Sequence, residues 1–346
     1  MVSSLGEKAK KMLQEFVPEI DERIAKYFDE ELKKDFGFNE RQRKLNREIL
    51  EYAKEYILRP TKRLRSSFVY YGSMLGRDTP LRTNLSRWKA AIGIELVHAA
   101  LLMHDDFMDR DDNRRGGPTT HEYFRKKLND LHLGEAMAVT VGDALLCLGF
   151  ELIPDKSVFR AITNTAYGQA YDLSLEAFRN WTEDDVIALH KAKTAIYTYE
   201  NPLFIGAHLA GLEKEVFEVL HDYAMDGGVA FQLQDDILGV YGSPEKTGKS
   251  ADSDLKQGKC TLMALKAWDR PELQKVWGNR GATREELDAA KAAIMACGAY
   301  EYNKKLAQEY AAKAAKTAEK LRKLDLNSEA IDYIQGIAEY MIDREM

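Results

Sequence analysis

Two apolar segments of this chain each end in a pair of adjacent aspartates, and a basic segment follows each pair. Asp105 and Asp106 come just after the apolar run ELVHAALLM, and Asp235 and Asp236 end a second mostly apolar segment. Carboxylates packed at the end of a buried segment raise each other's pKa unless a cation relieves them. The chain must therefore adopt a fold that supplies cations to both clusters.

The first acidic cluster has the spacing of a divalent-metal site. Five aspartates lie within eight residues, namely Asp105, Asp106, Asp109, Asp111 and Asp112. If this segment is helical, Asp105 and Asp109 share one face, with their Cβ atoms about 5–6 Å apart. A few closely spaced oxygen ligands suit Mg²⁺, particularly when a phosphate completes the coordination shell. A solvated acidic helix end is the alternative interpretation of this segment taken alone.

The second cluster strengthens the metal interpretation because it repeats the same order of charges. Its aspartates are followed by the lysines Lys246, Lys249, Lys256 and Lys259. Arg114 and Arg115 likewise follow the first cluster. In such an arrangement carboxylates hold divalent ions, the ions hold a polyphosphate, and lysine and arginine bind the remaining phosphate charge. The two segments together predict a site for a magnesium-bound polyphosphate.

Helical signals dominate the rest of the chain and predict an all-α fold. Capping-box patterns mark two helix starts, Thr182 with Asp185 and Thr283 with Glu286. Residues 284–324 are rich in strong helix formers, and Gly298 is an expected break among them. Convincing period-2 strand patterns are absent, and the expected loops are 77–80, 113–118, 241–258 and 277–282. Since no interdomain linker is visible, we expect one domain over residues 1–346, with about a dozen helices.

The composition limits the classes of function. A formal net charge of -6 argues against a general nucleic-acid binder, so we expect no nucleic-acid partner. The most apolar stretch, residues 136–153, contains Asp143 and Glu151 and is short for a membrane span. We therefore interpret it as a buried core helix and expect no transmembrane segment. Three widely separated cysteines without metal-ligand spacing favour a reducing compartment, so we expect a cytoplasmic protein.

With these motifs in view, the sequence resembles the trans-isoprenyl diphosphate synthases of the polyprenyl synthetase family. DDFMDRDDNRRG resembles the first aspartate-rich motif of that family, and FQLQDDILG resembles the second. Shorter motifs stand in the family order between Lys62 and Lys259: TKRLR, ELVH, KT, TGK and GKCT. The resemblance implies an isoprenoid synthase fold, which is a helical bundle around a deep central cavity, and usually a homodimer. It also implies head-to-tail condensation of isopentenyl diphosphate with a dimethylallyl, geranyl or farnesyl diphosphate, with about three Mg²⁺ ions.

The resemblance also assigns a role to each site residue. The metal ligands would be Asp105 and Asp109 from one wall and Asp235 from the opposite wall, with Asp106 and Asp236 in support. The allylic diphosphate would contact Arg114, Lys193, Lys249 and Lys259. Thr194 and Gln232 would line the reacting centre. The diphosphate of isopentenyl diphosphate would be bound by Lys62, Arg65, His98 and Arg115. Taken singly, these residues have structural alternatives, such as a solvated basic turn at 62–65 or a hydrogen-bonded core histidine at 98.

Product length should depend on the residues beneath the first cluster. In a helix, Leu101 and Ala100 lie four and five residues before Asp105 and point down the cavity. Bulky aromatic residues there tend to stop growth at about fifteen carbons, or about twenty in some members, in the family that this chain resembles. Here the residues are moderate and small, so the floor should lie deeper, at Leu96, Val97 or Met137. We expect a product of about twenty carbons or more, with geranylgeranyl diphosphate favoured over about 25–40 carbons or farnesyl diphosphate.

Some residues depart from the family pattern. Pro60, Thr61 and Ser66 replace the Gly-Gly and Pro that usually flank the KRLR segment, and Gly239 stands where many members have a third aspartate. We expect the third metal to be retained, with a water in place of the missing ligand. Two other classes of function stay open. A class I terpene cyclase would lack the QDDILG motif, and a non-catalytic regulatory subunit of a heteromeric synthase would commonly lose acidic motifs.

Overall fold

The computed structural model describes residues 4–35, 37–77, 81–242 and 252–342, and most of them are helical. Sixteen α-helices, one π-helix and one 3₁₀-helix lie within these ranges. The all-α prediction is therefore confirmed. The helices outnumber the expected dozen because several short ones, of five or six residues, follow residue 252.

The helices occur in the following order along the chain. The first part contains α1 (Ser4–Glu31), α2 (Glu40–Leu58), α3 (Leu64–Met74), α4 (Leu81–Met108), α5 (Thr120–Leu128), α6 (Leu131–Leu152) and α7 (Ser157–Phe178). The middle contains α8 (Glu183–His190), the π-helix (Lys191–Glu200), α9 (Asn201–Leu209) and α10 (Lys214–Tyr241). The last part contains α11 (Ser253–Gln257), α12 (Leu262–Lys266), α13 (Pro271–Val276), α14 (Arg284–Ala296), α15 (Ala299–Ala318), the 3₁₀-helix (Glu319–Lys323) and α16 (Ser328–Ile342).

The chain divides into two compact units. Unit A comprises Met12–Tyr70 and Thr79–Asp155, and unit B comprises Met1–Lys11, Tyr71–Asp78 and Lys156–Met346. The first acidic cluster belongs to unit A and the second to unit B.

Unit A is organised by close packing of α4 against α6. A β-carbon on Gly149 of α6 would lie within 3.0 Å of Val97 and of the Gly93 backbone on α4. Glycine at this position therefore lets the two helix backbones approach closely. The close approach holds α4, which carries the first acidic cluster, in a fixed position within unit A.

The segment 113–118, which we expected to be a loop, is a minimal β-hairpin. Its strands, β1 (Asn113–Arg114) and β2 (Gly117–Pro118), pair in antiparallel fashion. The turn residues Arg115 and Gly116 have φ values of 51° and 79°, which are the left-handed angles of a type I′ turn. This turn places Arg114 and Arg115 on a short rigid element.

The prediction that residues 136–153 form a buried core helix is wrong. The segment lies in α6, but only 33% of the most apolar window of that helix is buried. Val139 is 41% exposed and Leu131 is 60% exposed. By length and composition alone, α6 could cross a membrane. The buried face of α6 combines small residues with Val141 and Leu145, whereas Leu131, Leu133 and Val139 are exposed.

In unit B, a helical stretch from Glu183 to Leu209 changes geometry in the middle. It begins as α8, widens into the π-helix and continues as α9, which has Pro202 in its first turn. Proline lacks the backbone N–H that an α-helical hydrogen bond needs, which favours irregular hydrogen bonding at this point. The π-helix carries Lys193 and Thr194, so the irregular backbone coincides with predicted site residues.

The helix boundaries predicted in unit B are confirmed. The capping boxes at Thr182 and Thr283 are both present, with each hydroxyl accepting the N–H three residues later. Gly298, with φ of 81°, separates α14 from α15. Among the loops expected in unit B, 241–258 needs correction, because α11 lies within it. Residues 78–80 and 243–251, and with them Lys246 and Lys249, lie outside the described residues.

Candidate active site

The first acidic cluster lies at the C-terminal end of α4. The backbone N–H of Asp109 donates to the Asp105 carbonyl at 2.8 Å, so helical hydrogen bonding continues to Asp109. The two carboxylates therefore share one face, as the sequence predicts. Asp105 is partly buried and Asp109 is buried. This pair can offer oxygen ligands to one divalent ion.

Asp106 points to a different set of partners. Its side chain is fully buried, and its Oδ2 accepts a hydrogen bond from the Tyr56 hydroxyl at 2.7 Å. Its Oδ1 accepts from Nε of Arg114 at 2.7 Å and from Nη2 of the same guanidinium. Both carboxylate oxygens are thus engaged by protein donors. Asp106 therefore fixes the position of Arg114 and neutralises its charge.

A basic group surrounds the start of α3 and the middle of α4 in unit A. Nη1 of Arg65 lies 3.0 Å from Nε2 of His98. Burial lowers the pKa of His98 well below its usual value, and Arg65 lowers it further, so the ring is neutral near pH 7. The neutral ring accepts the hydrogen bond, because a guanidinium can only donate. Lys62, which precedes Arg65 by one turn of sequence, is exposed.

Arg115 completes the basic group. Burial lowers the pKa of Arg115 to about 10, and the neighbouring Arg63 guanidinium acts in the same direction. A buried cation with another cation beside it gains stability when an anion binds nearby. The group formed by Lys62, Arg65, His98 and Arg115 is therefore suited to an anion with several oxygens, such as a diphosphate.

Arg63 is a residue whose importance the sequence did not reveal. It is buried, and it donates to Asp21 Oδ1 at 2.7 Å and to Glu95 Oε2 at 2.9 Å. Its φ of 52° is left-handed, which is strained for an arginine. The buried ion pair holds this conformation, which sets the directions of Lys62 and Arg65 on either side. No local pattern in TKRLR distinguishes this anchoring arginine from its neighbours.

The same network explains one departure from the family pattern. The backbone N–H of Ser66 donates to Glu95 Oε1 at 3.2 Å, and its hydroxyl donates to the Arg63 carbonyl at 3.0 Å. Proline, which is usual in the family at this place, has no N–H and could not make the first bond. Ser66 therefore completes the hydrogen bonding of the buried Glu95 carboxylate.

The second acidic cluster lies in the last third of α10. Asp236 is buried, and its Oδ1 accepts a hydrogen bond from Gln232 Nε2 at 3.0 Å. The side-chain Oε1 of Gln232 accepts a hydrogen bond from the Thr194 hydroxyl at 2.6 Å. Hydrogen bonds thus connect three predicted site residues of unit B in series, Thr194 to Gln232 and Gln232 to Asp236. Sequence reasoning missed His190, whose Nε2 lies 3.3 Å from Asp236 Oδ2.

Two predicted phosphate-binding lysines meet at a carboxylate that the sequence analysis overlooked. Nζ of Lys193 lies 2.9 Å from Asp172 Oδ2, and Nζ of Lys259 lies 3.6 Å from the same oxygen. Lys259 also pairs with Glu176 at 2.7 Å. The sequence does contain a signal for this carboxylate. A polar face of α7 repeats at helical spacing through Gln169, Asp172 and Glu176.

The donor set of unit B suits a hydrated cation. Its acidic side chains, Asp172, Asp235 and Asp236, offer hard oxygen ligands of the kind that Mg²⁺ prefers. Both side-chain amide atoms of Gln169 are buried without a hydrogen-bond partner. Buried polar atoms normally have partners, so these atoms are available to a bound water or ligand.

A further group of metal-type side chains lies outside the predicted site. Asp112, His121 and Glu122 each place one ligand atom within 4.8 Å of the others. However, Arg125 donates to both oxygens of Glu122, at 2.8 and 2.6 Å. Because this arginine already neutralises the carboxylate, we assign no metal to the group.

The residues predicted to set product length differ in exposure. Val97 and Ala100 are completely buried, and Leu101 is partly exposed on the same face of α4 as Asp105. Among these three residues, Leu101 is thus the one whose partly exposed side chain lies on the same face of α4 as Asp105.

Comparisons with known proteins show which family this chain is similar to. A family model described as polyprenyl synthetase matches residues 47–296. The geranylgeranyl diphosphate synthase of Methanosarcina mazei is 34% identical over 268 residues, covering 74% of this chain and 78% of that protein. The geranylfarnesyl diphosphate synthase of Aeropyrum pernix is 32% identical over 274 residues, covering 73% and 81%. The crystal structure of geranylgeranyl pyrophosphate synthase from Corynebacterium glutamicum, complexed with isoprenyl diphosphate and magnesium, has a TM-score of 0.84 at 25% identity and covers 96% of this chain and 99% of that chain.

The depressed pKa of His98 predicts a pH-dependent stability. The unfolded chain binds a proton at His98 near pH 6.5 whereas the folded chain does not, so stability is full above that pH and falls below it. The contribution is at most about 1.4 kcal/mol per pH unit. Denaturant unfolding at pH 7.5 and 5.5 should show a smaller acid loss for His98→Gln than for the wild type. Equal losses in both proteins would contradict the assignment of a neutral buried ring.

Proposed function

Because the chain belongs to the polyprenyl synthetase family and has its isoprenoid synthase fold, we propose that it joins isopentenyl diphosphate head-to-tail to an allylic diphosphate. The reaction releases pyrophosphate and gives a trans-prenyl diphosphate of about twenty carbons or more, with geranylgeranyl diphosphate favoured. The observation that carries this proposal is that each unit holds carboxylates beside cationic side chains, Asp106 beside Arg114 in unit A and Asp172 beside Lys193 and Lys259 in unit B. Such a pairing suits a metal-bound diphosphate.

Both clusters would serve one reaction, with residues 1–346 acting as a single catalytic domain. Asp105 and Asp109 would hold Mg²⁺ in unit A, and Asp235 would hold Mg²⁺ in unit B, with Asp236 in support. About three bound Mg²⁺ ions would supply positive charge to the departing pyrophosphate. Asp106 and Asp236 would act mainly through the hydrogen bonds that orient Arg114 and Gln232.

The cationic side chains would bind the allylic diphosphate as it becomes pyrophosphate. Lys193 and Lys259 already share the Asp172 carboxylate, so both ammonium groups are directed to one place. Arg114 is fixed by Asp106, and Lys249 belongs to the segment outside the described residues. Positive charges held in place before the reaction stabilise the developing negative charge without reorganisation. The allylic C–O bond can then ionise.

Isopentenyl diphosphate would bind at the basic group of unit A. Arg65 and Arg115 would each donate several N–H groups to its diphosphate, and the exposed Lys62 would add charge. His98 would act as a positioning residue, since its neutral ring accepts a hydrogen bond from Arg65. The double bond of this substrate attacks the allylic cation, with Thr194 and Gln232 beside the reacting carbons. We assign the lost proton to the released pyrophosphate rather than to a side chain.

We also propose a homodimer in the cytoplasm, with α6 in its interface. Exposed side chains repeat along one face of this helix at Ala136, Val139, Asp143 and Cys147. A bilayer is a poor partner for this face, because an aspartate at the centre of a membrane costs about 2.5–3.5 kcal/mol. A second copy of the chain could cover the apolar positions and leave Asp143 hydrated at the rim.

The function is tested by incubating the purified chain with isopentenyl diphosphate, Mg²⁺ and primers of increasing length, with product mass as the measurement. Asp105→Asn should lower kcat/KM by several orders of magnitude. The Mg²⁺ that would assist ionisation of the allylic diphosphate loses a carboxylate ligand in this variant. Asp35→Asn, an exposed carboxylate between α1 and α2, should be close to wild type and serves as the control. Hydrocarbon products from geranylgeranyl diphosphate alone would instead indicate a terpene cyclase. Inactivity without a partner chain would indicate a regulatory subunit.

Leu101→Phe should shorten the main product by at least one five-carbon unit, because the larger ring would occupy space on the face of the first cluster. Leu102→Phe is the matched control, since its side chain points about 100° away around α4. Chromatography of the dephosphorylated alcohols gives the product distribution. If the Leu101 variant and the wild type make the same products, Leu101 does not face the growing chain.

Val139→Glu should make the protein monomeric in solution, because the substitution places a charge in the proposed dimer interface. Light scattering after size exclusion gives the mass in solution. Lys44→Glu on α2, which also changes an exposed position, should keep the wild-type mass. A dimeric Val139 variant would place the interface elsewhere.

A further inference from the structure

Arg59 lies at the C-terminal end of α2 in unit A, at the place where the chain departs from the family pattern. Helix α2 ends at Leu58, and Arg59 is its C-cap, with φ of -57° and ψ of 144°. Pro60 follows, and the residue before a proline is driven out of the helical region into this extended conformation. The replacement of the usual Gly-Gly by Pro60 and Thr61 therefore restricts the backbone from which the Arg59 side chain extends.

The Arg59 guanidinium is buried and held by side chains of its own helix. The side chain is only 5% exposed. Its Nε and Nη2 donate to the two carboxylate oxygens of Glu55, at 2.9 and 2.7 Å. The guanidinium carbon lies 4.8 Å from the centre of the Tyr56 ring. Because a guanidinium is planar and its donors are fixed in a fork, these contacts set its orientation.

The same guanidinium contacts both strands of the hairpin at 113–118. Its Nη1 donates to the Arg114 carbonyl at 3.0 Å. A β-carbon built on Gly117 would lie only 2.5 Å from the guanidinium carbon, so glycine at this position gives the guanidinium its space. Arg114 and Gly117 are the cross-strand pair that flanks the turn. Arg59 therefore holds the hairpin at the base of the turn that carries Arg115.

Two tyrosines on the same side of α2 hold neighbouring parts of the first cluster. The hydroxyl of Tyr52, seven residues before Arg59, donates to the Pro118 carbonyl at 3.1 Å. The hydroxyl of Tyr56 donates to the buried carboxylate of Asp106. Residues at this spacing lie on one helix face. One face of α2 thus contacts both the hairpin and the first acidic cluster.

We propose that Arg59 is a positioning residue for diphosphate binding, which holds the hairpin so that Arg114 and Arg115 keep a fixed geometry. This inference rests on the proposed function, because Arg115 would bind the diphosphate of isopentenyl diphosphate. An anion gains most from donors that need no reordering when it binds. Gly117 belongs to the same arrangement, because a larger side chain there would displace the guanidinium. The competing explanation is that Arg59 only stabilises the end of α2.

The test measures substrate binding without turnover in the full-length chain. Isothermal titration calorimetry with isopentenyl diphosphate and no allylic primer gives the Kd, at a temperature where every variant is folded. The variants are Arg59→Ala, Gly117→Ala and the double variant with both changes. Arg47→Ala, which removes an exposed arginine from the same helix, is the matched control.

Arg59→Ala should raise the Kd about tenfold, because the hairpin is released and its arginines lose their fixed geometry. Gly117→Ala should raise the Kd by a similar factor while keeping the charge of Arg59, which separates positioning from the loss of a cation. The double variant should bind no more weakly than Arg59→Ala, because the new methyl group then meets no guanidinium. Arg47→Ala should stay within about twofold of wild type, because solvent and salt screen an exposed charge.

A wild-type Kd in either Arg59→Ala or Gly117→Ala would overturn the proposal, as would a double variant in which the two increases multiply. A purely structural role would lower the melting temperature and leave the Kd unchanged. Circular dichroism shows whether each variant is folded, and if Arg59→Ala does not fold, Gly117→Ala decides the question alone. Failure of the proposed function gives a different result, because the wild type itself would then neither bind isopentenyl diphosphate nor elongate a primer. That result would also overturn the role of Arg59.

Discussion

The neutralisation of buried carboxylates by neighbouring cations is the interaction on which both units depend. In unit A, Arg114 binds Asp106 and Arg63 binds Glu95, and in unit B two lysines meet at Asp172. Removing one partner of a fully buried pair, such as Arg63 and Glu95, leaves an uncompensated charge, which costs about 3–5 kcal/mol. Part of the dense charge of the first motif is therefore neutralised within the folded protein by Arg114.

The same ion pairs prepare the chain for the proposed reaction. Lys193 and Lys259 are held near Asp172, and a diphosphate could compete for their ammonium groups because phosphate oxygens accept charge-assisted hydrogen bonds well. The π-helix supports this arrangement by carrying Lys193 and Thr194 on a widened backbone. Stability and the proposed catalysis thus use the same charges, and irregular helical geometry occurs where side chains must be placed exactly as the site requires.

Sequence reasoning found the residues whose type and spacing are informative by themselves. The spacing of Asp105 and Asp109 predicted a shared helix face, and the capping boxes predicted two helix starts, because both patterns depend on neighbours within one turn. It did not find Asp172, His190 or Arg63. These residues become significant through partners that are distant in sequence, such as Lys259 for Asp172. It also mistook α6 for a buried helix, because apolar composition does not say which face is covered.

The amino-acid sequence by itself determined the helical class, the positions of both acidic motifs and the membership of a family, since these follow from local periodicity and ordered motifs. The tertiary structure alone decided which carboxylates are engaged by protein cations, such as Asp106 by Arg114 and Asp172 by Lys193. The physical reason is that a carboxylate and its partner meet through packing between helices, and residue spacing along one helix carries no information about that packing.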